Sequence, residues 1–252
     1  MQNLILVSIQ ASFVIILMLI LTKFLANKIS FKCKYFIWLI ICIRMLIPFT
    51  IELPQSPINL TVLESDVAFS TNIQDEYIKY NEFTVTENVN EKSFSNFNIV
   101  FYTWLFGASG FFLFHVITLI YFEIKIKKSL IKMETKFKIP VYICDKISSP
   151  ILIGFFKPKI LISQNNYSEK ELDIILKHEL THYKRGDMWY KLLLLIVNSV
   201  HFFNPFAYIM LRQANSDLEY SCDDLVVKNM SLESKQMYAL TILKTMKEGK
   251  FK

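Results

Sequence analysis

The sequence predicts a mainly α-helical integral membrane protein that ends in a small α+β domain. Apolar residues fill 53% of its 252 positions and 22 residues are phenylalanine, more than a soluble domain of this length normally carries. Three apolar stretches are long enough to cross a bilayer, and β-branched runs and an amphipathic helix follow them. We therefore expect a transmembrane region at residues 1–124 and a second domain at residues 125–252.

The predicted spans cover residues 4–21, 35–51 and 97–122. The first contains no charged residue. It also lacks the basic start and the small-residue cleavage site of a signal peptide, so we interpret it as a retained helix.

Charged residues around the spans predict their orientation. Lysines follow the first span and cluster again at residues 125–138, whereas most of the charged residues at 52–96 are acidic. The positive-inside rule then places the loop 52–96 outside the cell and residues 125–252 on the cytoplasmic side of a multi-pass cell-membrane protein. The net charge of +6 suits an anionic inner leaflet, and we expect the lipid bilayer rather than nucleic acid as a partner.

Residues 139–144 and 151–162 are β-branched and aromatic runs separated by serine, proline and glycine. This pattern predicts a short hairpin or a small sheet. The second run could receive a substrate by strand addition, or it could only cover the neighbouring helix. The four cysteines include no closely spaced pair, and on the cytoplasmic side we expect no disulfide.

The next segment carries the sequence His178-Glu179-Leu180-Thr181-His182 on a predicted amphipathic helix. Residues i and i+4 share a helix face, so both imidazoles can reach one metal ion while Glu179 lies beside a metal-bound water. The pattern therefore predicts a zinc hydrolase. The alternative is a surface helix whose histidines bind nothing.

A third ligand is expected downstream, where Glu219 and Asp223 lie one helical turn apart. One carboxylate could close the zinc site while the other supports a ligating imidazole. Residues 189–210 between the two regions are apolar but are interrupted at Asn204 and Pro205. Because both ends of this segment must then lie on one side of the membrane, we expect a re-entrant helix or one packed at the cytoplasmic boundary.

Together these motifs resemble the BlaR and MecR membrane metallopeptidases, a family of antibiotic-sensing signal transducers. The resemblance covers essentially the whole chain and includes the residues after the histidine motif and the segments 201–206 and 219–223. It implies a gluzincin-like zinc peptidase domain. In that domain the zinc ligands would be His178, His182 and Glu219. Glu179 would be the catalytic base, and Asp223 would be a supporting carboxylate.

Full-length receptors of that family add a fourth span and an outward penicillin-binding sensor domain, which this sequence does not contain. The chain is therefore either a receptor fragment or a short member that senses another signal. The resemblance implies a zinc endopeptidase that cleaves itself or a cytoplasmic repressor, with a β-lactam as the signal in the first case.

Two other functions stay open from the residues alone. One is a housekeeping membrane protease of the Ste24 and HtpX type, and the other is a non-proteolytic membrane scaffold that holds zinc for stability. Chemistry alone offers Tyr183, His201 and Tyr220 as candidates for stabilising an oxyanion. The sequence does not define the inducing signal or the cleavage site. It does not define the oligomeric state either, and a homodimer stays open.

Overall fold

The computed structural model describes residues 2–24, 29–47, 91–165 and 167–250. Within these ranges most residues are helical, which confirms the mainly α-helical class. The elements in chain order are α1 Gln2–Phe24, α2 Phe31–Leu46, α3 Glu91–Lys127, β1 Leu130–Met133, β2 Val141–Cys144, β3 Ile151–Ile153, β4 Lys159–Ser163, α4 Glu169–Arg185, α5 Asp187–Val200, α6 Pro205–Val227 and α7 Leu232–Lys250.

Two of the described helices are long and apolar enough to cross a membrane, at Ile5–Phe24 in α1 and Asn98–Lys127 in α3. Much of the apolar surface of α3 is exposed, with Phe106 at 82% and Phe114 at 67% of full exposure. Such a surface suits contact with lipid better than contact with water.

The predicted second span, 35–51, overlaps α2 only in part. The 16 residues of α2 extend over about 24 Å at a rise of about 1.5 Å per residue. That length is shorter than the hydrocarbon core of a bilayer, which is about 30 Å thick. Residues 48–51 and most of the predicted outward loop, 52–90, lie outside the described residues.

Four helices, α1, α2, α5 and α6, pack their apolar side chains into one cluster. Ile15, Trp38, Leu194 and Leu218, one from each helix, are fully buried there. The buried positions of α2 recur at helical spacing along one face, which turns toward α6. This cluster fixes α6, which carries Glu219, beside α2.

The apolar segment 189–210 is divided between two helices by a turn at residues 201–204. Asn204 caps α6, because its Oδ1 accepts a hydrogen bond from the Phe206 N–H at 2.9 Å. Its Nδ2 donates to the hydroxyls of Ser8 and Ser12 on α1, each at 2.8 Å. Pro205 occupies the first turn of α6, where its missing N–H costs nothing. The turn sends α6 back toward α4.

The small sheet predicted from the sequence is present and has four strands in the order β1-β2-β4-β3. Strands β2 and β4 are parallel, and the other two pairs are antiparallel. Strand β1 was not predicted, because its short run lies among lysines that the charge pattern assigned to the membrane boundary. Leu176 of α4 packs with Ile160 on one face of the sheet, and Ile126 of α3 packs with Leu161 in a separate cluster. The sheet thus supports α4.

Helix α4 begins and ends at clear sequence signals. Ser168 and Glu171 form a reciprocal capping box at its start. At its end Gly186 adopts φ 72°, a left-handed conformation in which a residue with Cβ is strained. Because the break occupies a single residue, Asp187 begins α5 directly beside the last turn of α4.

Candidate metal centre

Three donor atoms from two helices converge at one point. His178 and His182 lie one turn apart on α4, and their Nε2 atoms are 3.0 Å apart. Glu219 of α6 places its Oε2 3.1 Å from Nε2 of His182 and 3.7 Å from Nε2 of His178. The structure therefore brings together the three residues for which the sequence analysis predicted zinc ligation.

The spacing of these donors fits a zinc ion. Tetrahedral coordination with bonds of about 2.0–2.1 Å separates neighbouring ligand atoms by about 3.3–3.4 Å. The three observed separations, 3.0, 3.1 and 3.7 Å, lie on both sides of that value. Two imidazoles and a carboxylate are also a donor set that catalytic zinc sites use.

The opposite side of each imidazole contacts a carboxylate. Nδ1 of His182 lies 2.6 Å from Oδ2 of Asp187, and Nδ1 of His178 lies 3.2 Å from Oδ1 of Asp223. The hydroxyl of Tyr238 is 2.8 Å from the same Nδ1 and donates to Asp223. Asp187 only accepts hydrogen bonds, and the Tyr238 hydroxyl uses its proton on Asp223, so each Nδ1 carries a proton. The lone pairs of the neutral imidazoles then face each other at Nε2. That arrangement needs a positive charge at the convergence point.

The pKa values of the three donors shift in the directions that this geometry requires. Burial opposes the charged form of both histidines. Hydrogen bonds to Asp223 and Glu219 nevertheless raise the pKa of His178, and hydrogen bonds to Asp187, Cys222 and Glu219 raise that of His182. Burial also opposes ionisation of Glu219, yet hydrogen bonds to both histidines hold its pKa well below the usual range. The surroundings thus favour a cation between the imidazoles, whether it arrives as a proton or as a metal ion.

Carboxylates outnumber the basic side chains around this point. Two cations pair with them: Lys191 Nζ lies 3.1 Å from Oε1 of Glu219, and Arg185 Nε lies 3.3 Å from Oδ1 of Asp187. Four carboxylates lie in this cluster, those of Glu179, Asp187, Glu219 and Asp223. With neutral histidines the side chains leave a deficit of two positive charges, which one divalent cation balances.

The donors open into a cavity of about 530 Å³. Its walls come from β3 and the residues before it, 149–152, from α4, and from α7 at Ile242 and Met246. Glu179 lies in the wall and is buried, which raises the pKa of its carboxyl group. A peptide could therefore approach the donors through this cavity.

The fourth nearby donor is a cysteine. The metal-binding atoms of Cys222, His178 and His182 all lie within 4.8 Å of one another. The Cys222 side chain is fully buried outside the cavity wall, and its Sγ is 3.8 Å from the carbonyl oxygen of His178. The thiol thus contacts the α4 backbone and the His182 side chain from outside the cavity, whereas Glu219 lines the cavity.

Of the three candidates for oxyanion stabilisation, Tyr220 lines the cavity, and the other two lie outside its wall. His201 is fully buried in the turn between α5 and α6, with Nε2 at 3.2 Å from the carbonyl oxygen of Met45. Tyr183 is largely exposed on α4.

Three residues that contact a donor residue were not predicted from the sequence: Asp187, Tyr238 and Lys191. A signal for Asp187 was present, because an acidic residue directly after a helix-ending glycine lies close to the preceding turn. Tyr238 lies 60 residues from His178 in the chain, and no local pattern marks it.

Long apolar helices combined with this donor cluster are the features of a membrane metallopeptidase. The model of the family described as BlaR1 peptidase M56 matches residues 2–251, and the chain belongs to that family. The resemblance predicted from the sequence motifs is confirmed.

Curated relatives agree with the family. The chain is 34% identical over 100 residues to the regulatory protein BlaR1 of Bacillus licheniformis, covering 39% of this chain and 17% of that protein. It is 25% identical over 247 residues to the methicillin resistance mecR1 protein of Staphylococcus aureus, covering 88% of this chain and 41% of that protein. The mecR1 protein of Staphylococcus epidermidis matches to the same extent. The chain thus spans about two fifths or less of the length of these relatives.

Proposed function

We propose that the chain is a membrane-embedded zinc endopeptidase that acts in transmembrane signalling by cleaving itself or a cytoplasmic repressor. The observation that carries this proposal is the convergence of His178 Nε2, His182 Nε2 and Glu219 Oε2 at separations of 3.0 to 3.7 Å. An open cavity beside these donors favours an enzyme over a scaffold, because structural zinc sites are closed by four protein ligands.

In this proposal Zn²⁺ is held by His178, His182 and Glu219. Asp187 accepts a hydrogen bond from Nδ1 of His182, and the Tyr238 hydroxyl, which donates to Asp223, accepts one from Nδ1 of His178. These contacts fix the ring orientations. When bound, zinc polarises the scissile carbonyl and lowers the pKa of the attacking water. Cys222 stays outside the ligand set, because its thiol contacts the α4 backbone and closes no face of the cavity.

Glu179 is the proposed general base. It follows His178 directly and lies in the cavity wall, where burial raises the pKa of its carboxyl group. A raised pKa brings a carboxylate closer to the operating pH, which suits it to take a proton from water and return it to the leaving amine.

The proposed substrate is an extended protein segment. Among the described strands β3 pairs only with β4, so its other edge is open, and Ile151 and Leu152 of β3 line the cavity. A peptide can add to that edge through main-chain hydrogen bonds. The apolar side chains of Ile242 and Met246 face the same cavity and would receive an apolar substrate side chain.

We also propose the membrane arrangement. Three spans at 4–21, 35–51 and 97–122 would place the loop 52–96 outside, and the gluzincin-like domain, 125–252, would lie on the cytoplasmic side. The turn between α5 and α6 would then enter the membrane from that side. In a longer receptor that carries a sensor domain, the signal would be a β-lactam.

The test compares the amino termini of all proteins in bacterial cells that express the chain or its Glu179→Gln variant, by terminal labelling and mass spectrometry. We expect at least one new terminus, in the chain or in a cytoplasmic protein, that disappears in Glu179→Gln. The matched control is Glu169→Gln, which alters an exposed glutamate in the first turn of the same helix.

Identical termini in the cells with the wild-type chain and with Glu179→Gln would contradict proteolysis and support the scaffold function. Cleavage of many membrane proteins without a stimulus would support the housekeeping function.

A further inference from the structure

Helix α2 presents three aromatic side chains on one face. Phe31, Tyr35 and Trp38 are spaced i, i+4 and i+7, so they form a continuous stripe. We call this set the aromatic stripe. Among the described residues, the ring contacts and hydrogen bonds of these three side chains reach elements that carry or support a candidate zinc ligand.

The two ends of the stripe contact α6 on either side of Glu219. The ring centroid of Phe31 lies 4.9 Å from that of Tyr220, which directly follows Glu219 in the chain. Trp38 is fully buried and its indole N–H donates to Oδ2 of Asp217 at 2.8 Å. Asp217 is also buried, so this hydrogen bond fixes both the height and the rotation of α6 relative to α2.

The centre of the stripe contacts the end of α4. The guanidinium carbon of Arg185, the last residue of α4, lies 4.9 Å from the Tyr35 ring centroid. The Tyr35 ring also stacks on the ring of Tyr190 in α5, with the centroids 4.5 Å apart. Arg185 pairs with Asp187, and Asp187 contacts Nδ1 of His182. A cation held over an aromatic face and paired with a buried carboxylate has little freedom to move.

The stripe therefore links the two helices that hold the donor atoms. Metal–ligand distances stay within about 0.2 Å of their standard values, so zinc binds tightly only when the separation of α4 and α6 is close to that geometry. The described contacts from the stripe reach both helices from one rigid element. We propose that Phe31, Tyr35 and Trp38 are positioning residues that set the spacing of His182 and Glu219, so that displacement of α2 weakens zinc binding.

This inference rests on the proposed zinc site and adds a route by which α2 controls it. The route does not need a signal to reach the cavity itself. A shift of α2 that breaks the Trp38 hydrogen bond or unstacks Tyr35 separates the two ligand-bearing helices and lowers the fraction of the chain that holds zinc.

The test measures zinc dissociation constants of the full chain in lipid nanodiscs by competition with a fluorescent chelator. Trp38→Phe removes the indole donor and keeps an aromatic ring. Its matched control is Trp104→Phe on α3, whose indole donates to the carbonyl oxygen of Val200 at 3.0 Å, away from the candidate ligands. We expect Trp38→Phe to weaken zinc binding about tenfold or more, and Trp104→Phe to change it by less than about twofold.

Tyr35 gives an independent arm that also tests the route. Tyr35→Leu should weaken zinc binding about tenfold. The variant Tyr35→Phe keeps the stacked ring and should bind zinc with wild-type affinity. In an Asp187→Asn background Tyr35→Leu should have much less effect, because both changes act on His182 through the same contacts. Melting of the zinc-free chain is recorded for every variant, so that a general loss of stability is separated from a loss of zinc affinity.

Equal zinc affinities for Trp38→Phe and Trp104→Phe would overturn the inference, as would full additivity of Tyr35→Leu and Asp187→Asn. If Trp38→Phe does not fold, the Tyr35 variants decide the test, and if Tyr35→Leu does not fold, Trp38→Phe decides it. If the wild-type chain binds zinc and the stripe variants bind it equally well, only this inference fails. If the wild-type chain binds no zinc, the proposed function fails as well.

Discussion

Replacing Asp187 by asparagine tests how far zinc binding depends on the carboxylate behind His182. Asp187 is 1% exposed and its Oδ2 lies 2.6 Å from Nδ1 of His182. A hydrogen bond to a charged group contributes about 1.5–3 kcal/mol. Loss of such a partner typically weakens metal binding about 10–100-fold, or about 1.4–2.7 kcal/mol. Because the contact is short and buried, we expect a loss near the upper end, about 100-fold.

The assay is competition between the purified chain and a zinc chelator, with thermal melting of the zinc-free chain measured in parallel. The control is Asp173→Asn, the same chemical change on an exposed face of α4, where Asp173 pairs with Lys177 at 2.7 Å. Exposed pairs contribute about 0–1 kcal/mol, and this variant should bind zinc as the wild type does. Equal zinc affinity in Asp187→Asn and Asp173→Asn would show that the Asp187 carboxylate does not support zinc binding by His182.

Three further predictions concern the ligand set, the protons and the capping box. Glu219→Ala should reduce zinc binding about 100-fold or more, whereas Cys222→Ala should leave the metal content unchanged; the reverse ranking in elemental analysis would show that the thiol is the ligand. Because the pKa values of His178 and His182 are raised, these imidazoles hold protons at neutral pH, and zinc must displace them. Zinc affinity should rise with pH, and calorimetry in two buffers of different ionisation enthalpy should detect release of at least one proton; buffer-independent heats would contradict this. Backbone hydrogen bonding in the capping box holds the pKa of Glu171 below its ordinary 4.5, so its stabilising effect is present above that pH and is lost as the pH falls further. Glu171→Gln should therefore lower the free energy of unfolding at pH 7 by less than about 1 kcal/mol. Thermal melting should show a small decrease at pH 7 and none in acid.

The sequence predicted the parts of the site that depend on local spacing. His178 and His182 lie one turn apart because any helix places i and i+4 on one face. The break at Asn204 and Pro205 was also predicted, because proline does not continue a helix. With that turn in place, the return of Glu219 to α4 follows from chain topology.

Other parts of the site depend on contacts between distant segments. Tyr238 reaches His178 only because α7 packs on α4, and Trp38 meets Asp217 across 179 residues of chain. Strand β1 was missed because four residues beside a run of lysines carry too little periodicity to be recognised as a strand. Tertiary packing, which local patterns do not encode, decided each of these.

The most direct test of the central claim is X-ray absorption at the zinc edge of the purified full chain. We expect one zinc per chain in a shell of nitrogen and oxygen ligands at about 2.0–2.1 Å, from His178, His182, Glu219 and water. A sulfur ligand at about 2.3 Å would place Cys222 on the metal and displace Glu219 from its proposed role. A purified chain that holds no zinc would contradict the proposed zinc endopeptidase function.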